Sequence, residues 1–74
     1  PEYSEWLGSA REELHALRKD ALGSLVMSLE AQGDFRSALL YAERLVEAEP
    51  VSEAAHRRVM RFHYLLGDRP AAFR

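Results

Sequence analysis

Gln32-Gly33-Asp34-Phe35-Arg36-Ser37-Ala38-Leu39 and Leu66-Gly67-Asp68-Arg69-Pro70-Ala71-Ala72-Phe73 read as two versions of one corner. Gly33 and Gly67 stand 34 residues apart, as do Asp34 and Asp68, and Ala38 and Ala72, while Leu39 and Phe73 are both apolar. A glycine supplies the left-handed conformation that closes a helix, and an aspartate beside it caps the next one. Upstream of the corners, Leu25 matches Val59 and Val26 matches Met60. One helical hairpin repeated at a fixed period predicts an array of stacked helices.

The segments on either side are helical in character. β-branched residues are scarce, with four Val and neither Ile nor Thr, and Ala, Leu, Glu and Arg dominate. Before the first corner nothing forces a stop between Ser4 and Ala31, with Ser4 as the expected N-cap and Glu5 favouring the positive end of the helix dipole. A helix of that span is about 42 Å long. Gly8 and Gly23 each weaken it by ~1 kcal/mol, and a bend near Gly23 is one outcome. The second helix is expected from Phe35 to Ala48, with an apolar face of Phe35, Ala38, Leu39, Ala42, Leu45 and Val46. Pro50 pushes Glu49 out of helical geometry and ends it. Ser52 caps a third helix whose stripe is Ala55, Val59, Phe62, Leu65 and Leu66, widened by Met60 and Tyr64. A fourth helix is expected to begin near Arg69, tolerating Pro70 in its first turn, and to be cut short at Arg74.

Composition bounds what such an array does. Of the 74 residues 47% are hydrophobic and 30% charged, a mix that folds rather than staying disordered. A net charge of −2 argues against a free-standing nucleic-acid binder, so no direct DNA binding is expected. There is no cysteine, which removes disulfides and cysteine-ligated metals. No apolar run approaches the ~18 residues of a membrane span, and no membrane partner is expected. The chain opens on Pro1 rather than Met, which reads as a piece cut or processed from a longer protein.

A 34-residue helical period resembles that of the tetratricopeptide (TPR) repeat, and Gly33, Asp34, Phe35, Ala38 and Pro50 fall at its consensus positions. In that register Ala38 lets two helices approach closely, Phe35 plugs the turn, and Pro50 sets the start of the next unit. Glu49-Pro50-Val51-Ser52-Glu53-Ala54-Ala55-His56-Arg57-Arg58-Val59-Met60-Arg61 then narrows the choice, because it resembles the P-x-x-E-x-A-H-R-x-x-M-R segment of the bacterial transcriptional activator domain. The flanks are similar too: Trp6-Leu7 followed by Arg11-Glu12, then the Gly33-Asp34-Phe35 corner with Ala38-Leu39, and Leu66-Gly67-Asp68-Arg69 with Ala71-Ala72. The resemblance covers essentially the whole chain, as a single TPR-like domain over residues 1–74. It implies an all-α, TPR-like, cytoplasmic module of SARP-type regulators, placed after a winged-helix DNA-binding domain absent from this sequence. Implied partners are a homodimer or higher oligomer, the linked DNA-binding domain and the transcription machinery.

No catalytic constellation accompanies this. His56 and His63 are seven residues apart on one helix, about 10 Å of rise, too far to share a metal, and His15 lies elsewhere. Packed or half-buried roles are expected for the histidines, and neither cofactor nor metal is expected. No glycine-rich phosphate loop is present, and the serines lack a nucleophile's neighbours. Arg11, Glu12, Glu13, Arg18 and Lys19 read as a solvated face with ion pairs along the helix.

Two surfaces remain as candidates. Arg57 and Arg61, four apart on the third helix, share with Ala54 and Tyr64 the face that lines a TPR groove; a guanidinium there can fork onto a carboxylate. Its alternatives are an ordinary charged face, with the arginines paired to Glu43, Glu47 or Glu49, and an auxiliary contact to DNA phosphates by Arg57, Arg58 and Arg61 together. The matching positions one repeat earlier, Asp20, Gly23 and Met27, are not basic. On the first helix Leu7, Ala10, Leu14, Leu17 and Ala21 alternate three and four apart, a coiled-coil seam, before the pattern shifts to Leu22, Leu25, Val26 and Leu29. The seam, with Trp6 as its anchor, is expected to meet a second copy, an upstream domain, or the second helix folding back. The function expected is a non-enzymatic interaction and oligomerisation domain of a transcription regulator; the alternative is a generic TPR adaptor holding an acidic peptide at Arg57, Arg61 and Tyr64.

Overall fold

A computed structural model describes residues 2–68. Over those residues the chain is all-helical, in the order α1 (Tyr3–Ala31), α2 (Phe35–Ala48) and α3 (Glu53–Leu65), with no strand. The fourth helix expected from Arg69, with Pro70, Ala72 and Phe73, lies outside the described residues. α1 packs on α2 and α2 on α3 in succession. The radius of gyration is 15.0 Å, against about 11 Å for a compact chain of this length, so the molecule is elongated.

The corners account for this path. Gly33 has φ 76° and Gly67 φ 85°, in the region that side chains with a Cβ avoid. At the first corner the N–H groups of Gln32, Gly33 and Asp34 donate to the carbonyls of Ser28, Glu30 and Leu29 at 3.1, 3.0 and 2.9 Å. At the second, those of Leu66, Gly67 and Asp68 donate to Phe62, Tyr64 and His63 at 2.9, 3.0 and 2.8 Å. Each bond of the second set is the first moved on by 34 residues. This is the Schellman arrangement, which satisfies the last carbonyls of a helix and turns the chain sharply. Asp34 then accepts from the N–H of Ser37 at 3.2 Å and caps α2. Ser52 accepts from the N–H of Ala55 at 3.3 Å and caps α3. His56 adds a tie across the α2–α3 turn, its Nε2 lying 2.7 Å from the carbonyl oxygen of Pro50.

The start of α1 differs from expectation. Ser4 is not the N-cap: the cap position is Glu2, which makes no side-chain capping bond, and Ser4 sits inside the first turn. Helical geometry at Tyr3 sets its ring three residues from that of Trp6, and the two stack at 6.2 Å between centroids. That i,i+3 contact favours two more residues of helix over a serine cap whose loss costs only ~1 kcal/mol. α1 runs unbroken through Gly8 and Gly23.

The core is small. Val26 of α1, Ala38, Ala42 and Leu45 of α2, and Ala55 and Phe62 of α3 are buried, with Leu22, Leu29, Phe35, Leu39, Tyr41, Val46 and Val59 packed partly against them. Ala38 and Ala42 have no exposed surface; with no side chain beyond Cβ they let α2 sit closely between its neighbours. Phe62, also fully buried, stacks on Phe35 at 6.1 Å, fastening the start of α2 to the last turns of α3.

Candidate functional site

Two surfaces stand out once the core is accounted for. The first is the cleft between α1 and α3. One hollow is lined by Lys19, Asp20, Gly23, Leu45, Glu49, Ser52, Ala54, Ala55 and Arg58, and a second by Met27, Glu30, Ala54, Arg57, Arg58 and Arg61. The sequence register places Arg57 and Arg61 opposite Asp20, Gly23 and Met27, and the structure brings these residues to one cleft. Tyr64 is not part of either hollow and stands half-exposed further along α3.

The electrostatics of the cleft differ from what local sequence indicates. Arg61 reaches across to α1 and bonds Glu30 at 2.5 Å, and its guanidinium lies 5.3 Å over the Phe62 ring. Arg57 pairs with Glu53 one turn back at 3.0 Å. The partners expected at Glu43, Glu47 and Glu49 are not the ones used. Glu49 instead takes Lys19 at 2.6 Å, so Lys19 leaves the solvated face of α1 and joins the end of α2 to its middle. Among the described residues no ion pair forms within α1. Arg58, which the sequence groups with Arg57 and Arg61 as a candidate phosphate contact, borders both hollows, and among the described residues no hydrogen bond or ion pair holds its guanidinium.

The second surface is the first half of α1. α2 has 14 residues against 29 in α1, and its far end meets α1 at the Lys19–Glu49 pair. From Tyr3 to Arg18 the helix therefore projects past its partner. Trp6 is 59% exposed, Leu14 66% and Leu17 64%, while Leu7 and Ala10 are half-buried. The expectation that α2 folds back to cover this stripe does not hold, since α2 ends at Ala48. Tyr3, 74% exposed, extends the stripe by one more position; it stands four residues before Leu7, the seam's own spacing.

The histidines lie apart, but only His63 has the half-buried place expected of all three, with Nδ1 3.5 Å from a carboxylate oxygen of Asp68. His15 and His56 are exposed, because His15 lies on the projecting half of α1 and His56 faces the α2–α3 turn. Among the described residues no group of three His, Cys, Asp or Glu side chains is placed to hold a metal ion. No helix there is long and apolar enough to cross a membrane.

Paired helices turning at identical corners, with an open cleft between the first and third and a bare apolar stripe beyond it, define a TPR-like helical module. The chain belongs to the bacterial transcriptional activator domain family, whose model matches residues 2–74. No curated protein and no solved structure matches it. The resemblance read from the Pro50–Arg61 stretch is borne out, and with it a role in bacterial transcription activation. The family is one of regulator domains rather than enzymes.

Proposed function

We propose that this domain joins regulator subunits: it self-associates through the projecting half of α1 and relays regulatory state to a DNA-binding domain linked to it. DNA recognition belongs to that linked domain, and contact with the transcription machinery is left to the surfaces that association does not cover. The observation that carries this is the stripe of Trp6, Leu14 and Leu17, open to water with the half-buried Leu7 beside them, along a helix that its own partner helix does not reach. Exposed apolar stripes of this kind mark interfaces, because water leaves them at a gain of about 25 cal/mol per Å². A small core gives a second reason, since a short helical array buries little area and is marginal alone. Sedimentation equilibrium of the chain at micromolar concentration tests it. A dimer or higher species is expected, with Trp6→Ala and Leu14→Glu shifting it to monomer while helicity is kept. A monomer at every concentration overturns the proposal.

A second role, capture of an acidic peptide in the cleft, is supported by Arg58, whose guanidinium has no carboxylate partner among the described residues. Arg57 and Arg61 already hold Glu53 and Glu30, so a peptide must displace a carboxylate to use them. Fluorescence anisotropy with an acidic peptide tests this: binding that Arg58→Glu abolishes supports it, and no binding by the wild type removes it.

A further inference from the structure

The residues beside the seam say how two copies would align. With Leu7, Leu14 and Ala21 at the first core position of each heptad and Tyr3, Ala10 and Leu17 at the fourth, the positions on one edge of the seam are Trp6, Glu13 and Asp20, and those on the other are Ser4, Arg11 and Arg18. One edge is acidic beyond its tryptophan, and the other is basic beyond its serine. Nothing within α1 pairs these charges; Arg11, Glu13, Arg18 and Asp20 are exposed and hold no partner among the described residues.

We infer that the projecting halves of α1 pair as a parallel, in-register two-helix coil with a second copy of this chain. The inference rests on the self-association proposed above and adds its orientation. In a parallel coil each edge faces the opposite edge of the other helix, one heptad offset. Glu13 then meets Arg18 of the second copy, and Trp6 meets Arg11 of the second copy, an indole under a guanidinium. Symmetry makes each contact twice. An antiparallel coil sets like edge against like edge, so that glutamate faces glutamate and arginine faces arginine. Charge complementarity therefore selects the parallel form.

The rest of the molecule leaves room for this. At 3.6 residues per turn, the seam and the Leu22–Val26–Leu29 face that α2 covers are turned about 110° apart around α1. The cleft lies further round, on the side carrying Asp20, Gly23 and Met27. The second copy thus meets a face that neither α2 nor α3 occupies. The next two seam positions after Ala21 are Ser24 and Ser28, so the coil ends where the packed core begins.

The chain has no cysteine, which makes a clean test available. Ala10→Cys and Leu17→Cys, each made singly in the full chain and oxidised gently, are both expected to give disulfide-linked dimers, since in parallel register every seam residue meets itself. Glu12→Cys, on the outer face, is the control expected to stay unlinked. Arg18→Glu is expected to raise the dimer Kd roughly five- to tenfold, and Glu13→Arg combined with Arg18→Glu to restore it. Crosslinking at only one of the two seam positions, or a Kd that Arg18→Glu leaves unchanged in a chain that still dimerises, overturns the parallel orientation while leaving self-association standing. A chain that stays monomeric overturns both.

Discussion

The two halves of α1 are one continuous helix with opposite fates. From Lys19 onward it carries Val26 into the core, with Leu22 and Leu29 half-covered by α2. Before Lys19 it carries Leu14 and Leu17 into water. The apolar side chains are of the same kind in both halves; they differ in angle and in reach. In the second half they point at α2, and in the first they point about 110° away, beyond the end of α2. Leu25, 38% exposed, falls between the two directions and is half-served by each. A helix that changes its apolar face midway serves two partners, one within its own chain.

If that division is right, damage to one half should leave the other's task untouched. The largest effect is expected at the core end: Phe62→Ala removes a fully buried ring stacked on Phe35 and should cost about 3–5 kcal/mol. A chain this short holds roughly 4–11 kcal/mol in all, so circular dichroism should show most of the helix lost at ambient temperature. Leu14→Glu comes next and acts on association alone. The dimer Kd should rise by about a hundredfold or more, with the dilute monomer's thermal transition unmoved; a transition that drops with it would mean Leu14 belongs to the fold. Gly33→Ala should destabilise by about 1–2 kcal/mol in a urea titration. A Cβ there meets no atom within 4 Å, and the whole penalty is backbone strain at φ 76°. Gly8→Ala, in the bare half, should do the reverse: a Cβ there also meets nothing, and helix propensity should gain up to about 1 kcal/mol. Last, Lys19→Met should cost about 0.5 kcal/mol, an effect that 1 M salt erases, because the pair with Glu49 is partly exposed.

How much of this the sequence carried depended on the range of the interaction. The corners were legible because glycine at positive φ and an aspartate cap are local chemistry, complete within six residues. The faces of α2 and α3 were legible from spacing, down to Ala38, Ala42 and Phe62, but Met60, Tyr64, Leu65 and Leu66 of the expected third-helix stripe stay exposed, since spacing does not say how far a neighbour covers a face. The seam was legible as a stripe, but its exposure was not, since that depends on how far α2 reaches. Partner choice across the cleft was the least legible. Periodicity says which side of a helix Arg61 occupies, and it does not say that Glu30, 31 residues earlier, stands level with it. Ser4 suits a cap by residue type alone, whereas the start of α1 is set by the i,i+3 contact of Tyr3 with Trp6, which residue type does not reveal.

The unbroken run of α1 through both halves has a mechanical consequence. No proline interrupts it and no turn separates the tip from the base, so it behaves as a lever with its fulcrum at the Lys19–Glu49 contact. A rotation of the α2–α3 body by about 5° would swing the tip, about 24 Å away, through about 2 Å. A small rearrangement at one end of the rod is thereby delivered, enlarged, at the other.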